Sequence, residues 1–154
     1  MKEIKHFSQY FFFLGGEDNE MVEIKKVLTK FHIPFYQPQT AWGDIVIPNE
    51  KLENNKPLIQ VFVECRPQIL YPRQIIIDHH NNLCHLPASL IQVLNLLQKK
   101  PNKRQEIIAS LDSVFFKPTI STYPNDKKLI WRLWQRGYRK NFPSTIEYLT
   151  FKKH

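Results

Sequence analysis

The sequence predicts an α/β domain of three layers built around a largely parallel sheet. Three observations lead there. Short apolar runs rich in aromatic and β-branched residues alternate with segments of helical period. The elements read in the order strand, helix, strand, strand, helix, helix. Each of the main apolar runs also ends abruptly in polar side chains, as strands do at a sheet edge.

Tyr10–Leu14 is the first strand, stopped by Gly15 and Gly16 and followed by the acidic turn Glu17-Asp18-Asn19-Glu20. From Met21 the period changes: Met21, Ile24, Val27, Leu28 and Phe31 share one helix face, and Glu23, Lys25, Lys26 and Lys30 lie off it. His32-Ile33-Pro34 ends that helix, because proline cannot continue the hydrogen-bond ladder. Residues 35–57 are interrupted by proline and asparagine, with Ile45-Val46-Ile47 the one short strand expected among them. Residues 58–63 form a strand that delivers Glu64, and the dipeptides Arg66-Pro67 and Tyr71-Pro72 punctuate the link to the strand Gln74–Ile77.

Residues 87–98 read as a buried helix with Pro87 suited to its first turn, and 104–111 as a second short helix with Asp112 at its end. Beyond Pro118 the composition shifts to Thr, Ser, Tyr, Pro and Asn before a basic, aromatic helix at about 126–140. The division expected is therefore a main domain over 1–118 and a C-terminal extension over 119–154.

With 154 residues, 42% hydrophobic and 23% charged, the chain is long enough to bury a core and too apolar to be disordered. No apolar segment is long enough to span a bilayer, and Tyr10–Leu14 is too short for a signal-peptide core; the chain reads as cytoplasmic, with no membrane partner. Cys65 and Cys84 are too few for a disulfide scaffold and lack zinc-finger spacing, so both are expected reduced and packed. The net charge of +8 favours a phosphate-bearing or otherwise polyanionic partner.

The tripeptide Asp78-His79-His80 closes the run Ile75-Ile76-Ile77 and so puts a carboxylate and two imidazoles at one sheet edge. These are ligand types for divalent transition metals. The alternative is that Asp78 caps the next segment and the histidines are solvated. Acid also follows the other two strands, at Asp18 and Glu20 and at Glu64, and parallel neighbours would bring these groups together. Their repulsion would be costly without a cation. The competing reading has Asp18 and Asn19 capping the first helix and Glu64 paired with Arg66 in solvent. His85 reads as a surface or capping residue, and Trp42-Gly43-Asp44 as an aromatic platform or a plug for its loop.

The segments Gly15-Gly16-Glu17-Asp18-Asn19-Glu20, Val61-Phe62-Val63-Glu64, Ile75-Ile76-Ile77-Asp78-His79-His80 and Leu111-Asp112-Ser113-Val114-Phe115-Phe116, in this order, resemble the four motifs of the DHH phosphoesterase superfamily over about residues 8–118. That superfamily includes single-strand exonucleases, oligoribonucleases, exopolyphosphatases and cyclic-dinucleotide phosphodiesterases. The resemblance implies two manganese ions, one if the site is incomplete, held by Asp18, Glu20, Glu64, Asp78, His79 and Asp112. Asp78, His79 and His80 would be the catalytic group, with His80 moving a proton or holding the leaving phosphate. Ala88 and Ser89 match the small residues that the family places at the start of the next helix. The chain departs from the family by having Gly15 and Gly16 where members often carry a histidine, and Glu20 and Glu64 where they carry Asp. It also has no room for the family's second, substrate-gripping domain, which leaves the cleft open or closed by a partner protein or a second copy.

The resemblance implies a metal-dependent phosphoesterase acting on a nucleotide or single-stranded nucleic acid. The alternative is a catalytically degenerate binding module or a subunit of a nucleic-acid-associated assembly. In the last helix Lys128, Trp131, Arg132, Arg136 and Arg139 interleave cations with aromatics, a pattern that can neutralise phosphates and stack bases. The aromatic stripe can equally dock the helix on its own core and leave the basic stripe solvated.

Overall fold

A computed structural model of the chain describes residues 7, 9–38, 43–46 and 59–141, the side chains of 138–141 excepted. Its strands are β1 (Tyr10–Leu14), β2 (Phe35–Tyr36), β3 (Ile45–Val46), β4 (Ile59–Val63), β5 (Arg66–Pro67) and β6 (Gln74–Ile77). The helices are α1 (Asn19–Lys30), α2 (Ser89–Leu96), α3 (Lys103–Val114), α4 (Phe116–Thr122) and α5 (Lys127–Asn141). The main sheet is entirely parallel, in the order β2-β1-β4-β6, and β3 and β5 form a separate parallel pair.

The pleat sorts the apolar residues. Phe12, Leu14, Val61, Val63 and Ile77 face one side, where Met21, Ile24, Leu28, Leu90, Val93, Ile107, Ile130 and Leu133 of the helices complete the large core. Phe13 and Phe62 face the other side, stacked with centroids 4.7 Å apart, and Val46 and Cys65 of the β3–β5 region cover them. Among the described residues the layer on this second face is therefore the small sheet, and all the described α-helices that reach the core do so from the first face.

Helix ends follow local chemistry. Asp18 caps α1 by accepting the Met21 amide at 2.8 Å, which satisfies one of the orphan donors of the first turn. His32 takes the left-handed conformation after that helix (φ 54°). The Ile33 amide returns to the Leu28 carbonyl, so the stop comes just before Pro34. Asn102 and Gln105 form a reciprocal capping box at the start of α3.

Several boundaries differ from the sequence reading. Helix α3 runs past the expected Leu111 to Val114 and holds Asp112 in its last turn. Pro87 precedes the cap residue Ala88 of α2 instead of entering its first turn. The two-residue strands β2 and β5 have no counterpart in the sequence reading, because such short edge segments carry no periodicity. The boundary at 118 falls inside α4, whose Phe116 packs with Trp131 and Trp134 of α5, so the described part of the C-terminal extension shares the main core. Cys65 is buried as expected, but Cys84, after a 3-10 turn at Asn81–Leu83, is exposed. Trp42 and Ile47 lie outside the described residues. Among the described residues no helix is long and apolar enough to cross a membrane.

Candidate metal centre

Strand order reverses between β1 and β4: the chain leaves β1 for β2 on one side, and β4 continues to β6 on the other. Loops diverge at such a point and leave a crevice beyond the carboxyl ends of the strands. Gly15 lets the two ends close up, because a Cβ there would meet the Glu64 carbonyl oxygen at 2.5 Å, while its amide donates to the Val63 carbonyl at 2.9 Å. Glu64 itself has φ 54°. Side-chain-bearing residues adopt that conformation at a cost.

Four elements send side chains to this crevice: Glu20 from the first turn of α1, Glu64 after β4, His79 after β6 and Asp112 from the last turn of α3. One ligand atom from each lies within 4.8 Å of all the others, and a second group, Glu64, His79 and His80, meets the same limit. His79 Nε2 lies 2.6 Å from Asp112 Oδ2 and 3.5 Å from both Glu20 Oε2 and Glu64 Oε1. Apart from these contacts with one another, Glu20 Oε2, both Glu64 oxygens, His79 Nε2 and Asp112 Oδ2 are buried without a hydrogen-bond partner. Buried polar atoms are rarely left so, and a group whose four residues bring one ligand atom each within 4.8 Å of the others could hold a cation. The donor set, three carboxylates and one imidazole, suits a divalent ion.

Electrostatics agree. Burial, then the Glu64 charge, pushes the Asp18 carboxyl up to about 7, as expected where water is excluded and a like charge is near. Glu20 is raised well above its ordinary range, chiefly by burial, with Asp112 and Glu64 adding repulsion. Asp112 would be raised by burial, but His79 and Glu20 outweigh that and hold it low. His79, bonded by Asp112, Glu20 and Glu64, rises to about 12. An imidazolium is the nearest positive charge to this acidic group, and a metal ion would compete with that proton for the same lone pair.

Asp78 is placed differently from the expected ligand. Its Oδ1 accepts the amides of His79 at 2.7 Å and His80 at 3.0 Å and sits 2.7 Å from His80 Nδ1; its Oδ2 accepts from Arg66 at 2.8 Å. Burial alone would raise this carboxyl, but the His80 and Arg66 bonds lower it. Asp78 thus turns the chain and orients His80, and its carboxylate lies outside both ligand groups. Arg66 pairs with Asp78 and not with Glu64, which is 1% exposed, and His79 is buried, so neither residue is solvated. Asp18 does cap α1, while also lining the crevice.

Helix α5 contributes Leu133, Trp134 and Gly137 to the wall of a cleft of about 680 Å³, which is also lined by Asp18, Glu20, His79, Asp112, Leu86, Leu111 and Phe115. Lys128 and Arg132 are exposed on α5 outside this lining, and Arg136 donates to Asn19 Oδ1 at 2.9 Å. Trp131 is half-buried against Phe116, 6.1 Å between centroids, so this ring packs into the protein. The Arg139 side chain is outside the described residues. His85 is exposed.

Two contributions escape a reading of the sequence. Glu20 spends its other oxygen, Oε1, on the Leu90 amide at 2.6 Å, capping α2, whose own cap residue Ala88 has no acceptor side chain. A helix start without such an acceptor leaves amides unsatisfied. Asn19 fastens α5 by donating to the Leu133 carbonyl at 2.6 Å. The missing capping side chain before Ser89 is the one signal for the first; nothing local signals the second. No protein-family model matches this chain, and no curated protein or solved structure matches it.

Proposed function

We propose that the protein is a metal-dependent phosphoesterase of the DHH type, hydrolysing a phosphodiester or phosphoanhydride bond in a nucleotide or single-stranded nucleic acid. The observation that carries the reading is the group Glu20, Glu64, His79 and Asp112, with ligand atoms within 4.8 Å of one another and buried polar atoms that find no hydrogen-bond partner outside the group. Residues from three of the four segments resembling the superfamily's motifs line one cleft, and Glu64 of the other joins them in the ligand group. Glu20, Glu64, His79 and Asp112 would hold one divalent ion, with manganese the ion the resemblance suggests. Glu64, His79 and His80 form an alternative ligand group that shares two residues with the first.

A divalent ion held there would supply Lewis acidity and neutralise charge on a phosphoryl group. The chain's residues then have separable tasks. Asp78 holds the His80 ring through Oδ1, and that His80 side chain is 39% exposed. It stands at the cleft ready to hand a proton to a departing oxygen. Exposed Lys128 and Arg132 raise the local concentration of anions.

Calorimetric titration of the full chain with Mn²⁺ tests the reading. Heat is expected for the wild type and none for Glu64→Gln, with bis(4-nitrophenyl) phosphate hydrolysed only by the loaded wild type. Absence of heat with manganese, magnesium or zinc would end the proposal. A second reading, a binding module without turnover, is favoured by the engagement of Asp78 with Arg66 at 2.8 Å. Manganese binding without hydrolysis of that ester, or of a dinucleotide, would select it.

A further inference from the structure

Phe115 joins α3 to α4 with φ 67° and ψ −171°. That region belongs to glycine, because a Cβ crowds the neighbouring peptide groups. Strain at a core residue can be offset by burial, but Phe115 is 66% exposed. Its neighbour Phe116 turns inward against Trp131 and Trp134, whereas Phe115 turns outward and lines the cleft three residues from Asp112.

The joint is held firmly. The Thr119 hydroxyl donates to the Phe115 carbonyl at 2.7 Å and lies 2.7 Å from the Ser110 hydroxyl, with Thr119 fully buried. A costly conformation has thus been built and braced to keep a large ring out of the core and at the mouth of the cleft. The ring lines the same cleft, of about 680 Å³, as the apolar Leu86 and Leu133 and the polar Glu20, His79 and Asp112. A cleft that offers both an aromatic face and, once a cation is held, a place for an anion matches a ligand that carries both a planar ring and an anionic group.

We propose that Phe115 is the platform on which a planar base stacks when its phosphate occupies the Glu20–Glu64–His79–Asp112 centre, so that the cleft selects nucleotides over inorganic phosphates and sugar phosphates. This rests on the cation site of the preceding section. Phe115 is a specificity residue and takes no part in the chemistry itself.

The experiment uses the full chain loaded with Mn²⁺ and compares AMP with ribose 5-phosphate, which keeps the phosphate and sugar and lacks the base. The wild type should bind AMP about tenfold or more tighter, the scale of one base stacked on an aromatic ring. In Phe115→Ala the two affinities should converge; in Phe115→Trp the preference should persist; ribose 5-phosphate binding should be the same in all three proteins. Phe115→Gly separates function from structure, because glycine adopts the positive φ of this position without strain. It should melt at a higher temperature than the wild type and still lose the AMP preference. Equal affinities in the wild type, or an unchanged preference in Phe115→Ala, would overturn the proposal while leaving the cation site intact. Loss of Mn²⁺ binding itself would remove the site on which both stand.

Discussion

Asp18 lies among carboxylates at the cap of α1, while Asp78 lies between a guanidinium and two backbone amides. The first is pushed up to about 7, the second below its ordinary value. The signs follow. For Asp18 the folded chain keeps a proton that the unfolded chain has lost, so its contribution is fully present below the ordinary carboxylate value and fades as pH rises to about 7, by the linkage between proton uptake and folding. Glu20 acts in the same sense, and His79, raised to about 12, extends the decline above neutrality. For Asp78 stability is present above the ordinary value and lost as pH falls below it. Melting in excess chelator should therefore be highest in mild acid and fall steadily toward neutrality. Excess Mn²⁺ should abolish that fall, because the ion takes the place of the protons. A melting temperature that is flat from mild acid to neutrality in chelator would contradict the arrangement of charges described. At this scale His79, Glu64 and Asp112 are legible in the sequence because each stands at or near the end of an apolar or helical run, and Glu20 because it belongs to the acidic turn between the first strand and the first helix. The allegiance of Asp78 is not, because Arg66 lies only two residues from Glu64 in sequence, and parallel register alone sets Val63 opposite Ile77 and so brings Arg66 toward Asp78.

The strands β1, β4 and β6 are legible because buried parallel strands are apolar on both faces, and the alternation of Phe12 and Leu14 against Phe13 is their pleat. Helix α1 is legible for its stripe, and α4 is not, having a proline and four hydroxyl or lysine residues among its seven. What no pattern conveys is how closely β1 approaches β4 at their carboxyl ends. Gly15 sets that distance. In Gly15→Ala the new Cβ meets backbone atoms, the Glu64 carbonyl oxygen at 2.5 Å and its carbon at 3.0 Å, which cannot swing aside as a side chain can. The strand ends must separate, at a cost of about 1–3 kcal/mol, and Glu64 moves with its backbone. The expected result is a lower melting temperature together with Mn²⁺ affinity weakened at least tenfold. Wild-type calorimetry in a correctly folded Gly15→Ala protein would show that this contact does not position Glu64.

Over the whole molecule, charge and site have opposite signs. The chain carries +8, while the cleft holds a cluster of carboxylates with His79 among them. On the proposed function, a basic exterior would gather phosphates that an unneutralised acidic pit would turn away, and a cation held in the pit would reconcile the two. The position of α5 matters for the same reason. The change in composition near Pro118 is visible in the sequence and suggests a separate extension, yet Ile130 and Leu133 are 0% and 3% exposed in the main core, and Leu133 and Gly137 line the cleft. Docking between segments so far apart in sequence depends on side-chain contacts that leave no local signature. Asn19 is the clearest of them: it donates to the Leu133 carbonyl, accepts from Arg136, and lies 2.9 Å from where a Cβ of Gly137 would stand. Asn19→Ala removes both bonds and should cost about 1–3 kcal/mol, at roughly 0.5–1.5 kcal/mol for each. Because the large core contacts of Ile130 remain, the loss should be local: amide exchange over residues 133–137 should accelerate while α2 keeps its protection. Equal exchange along α5 in the two proteins would mean that the apolar contacts alone seat the helix, and that Asn19 merely fills the space beside the cleft.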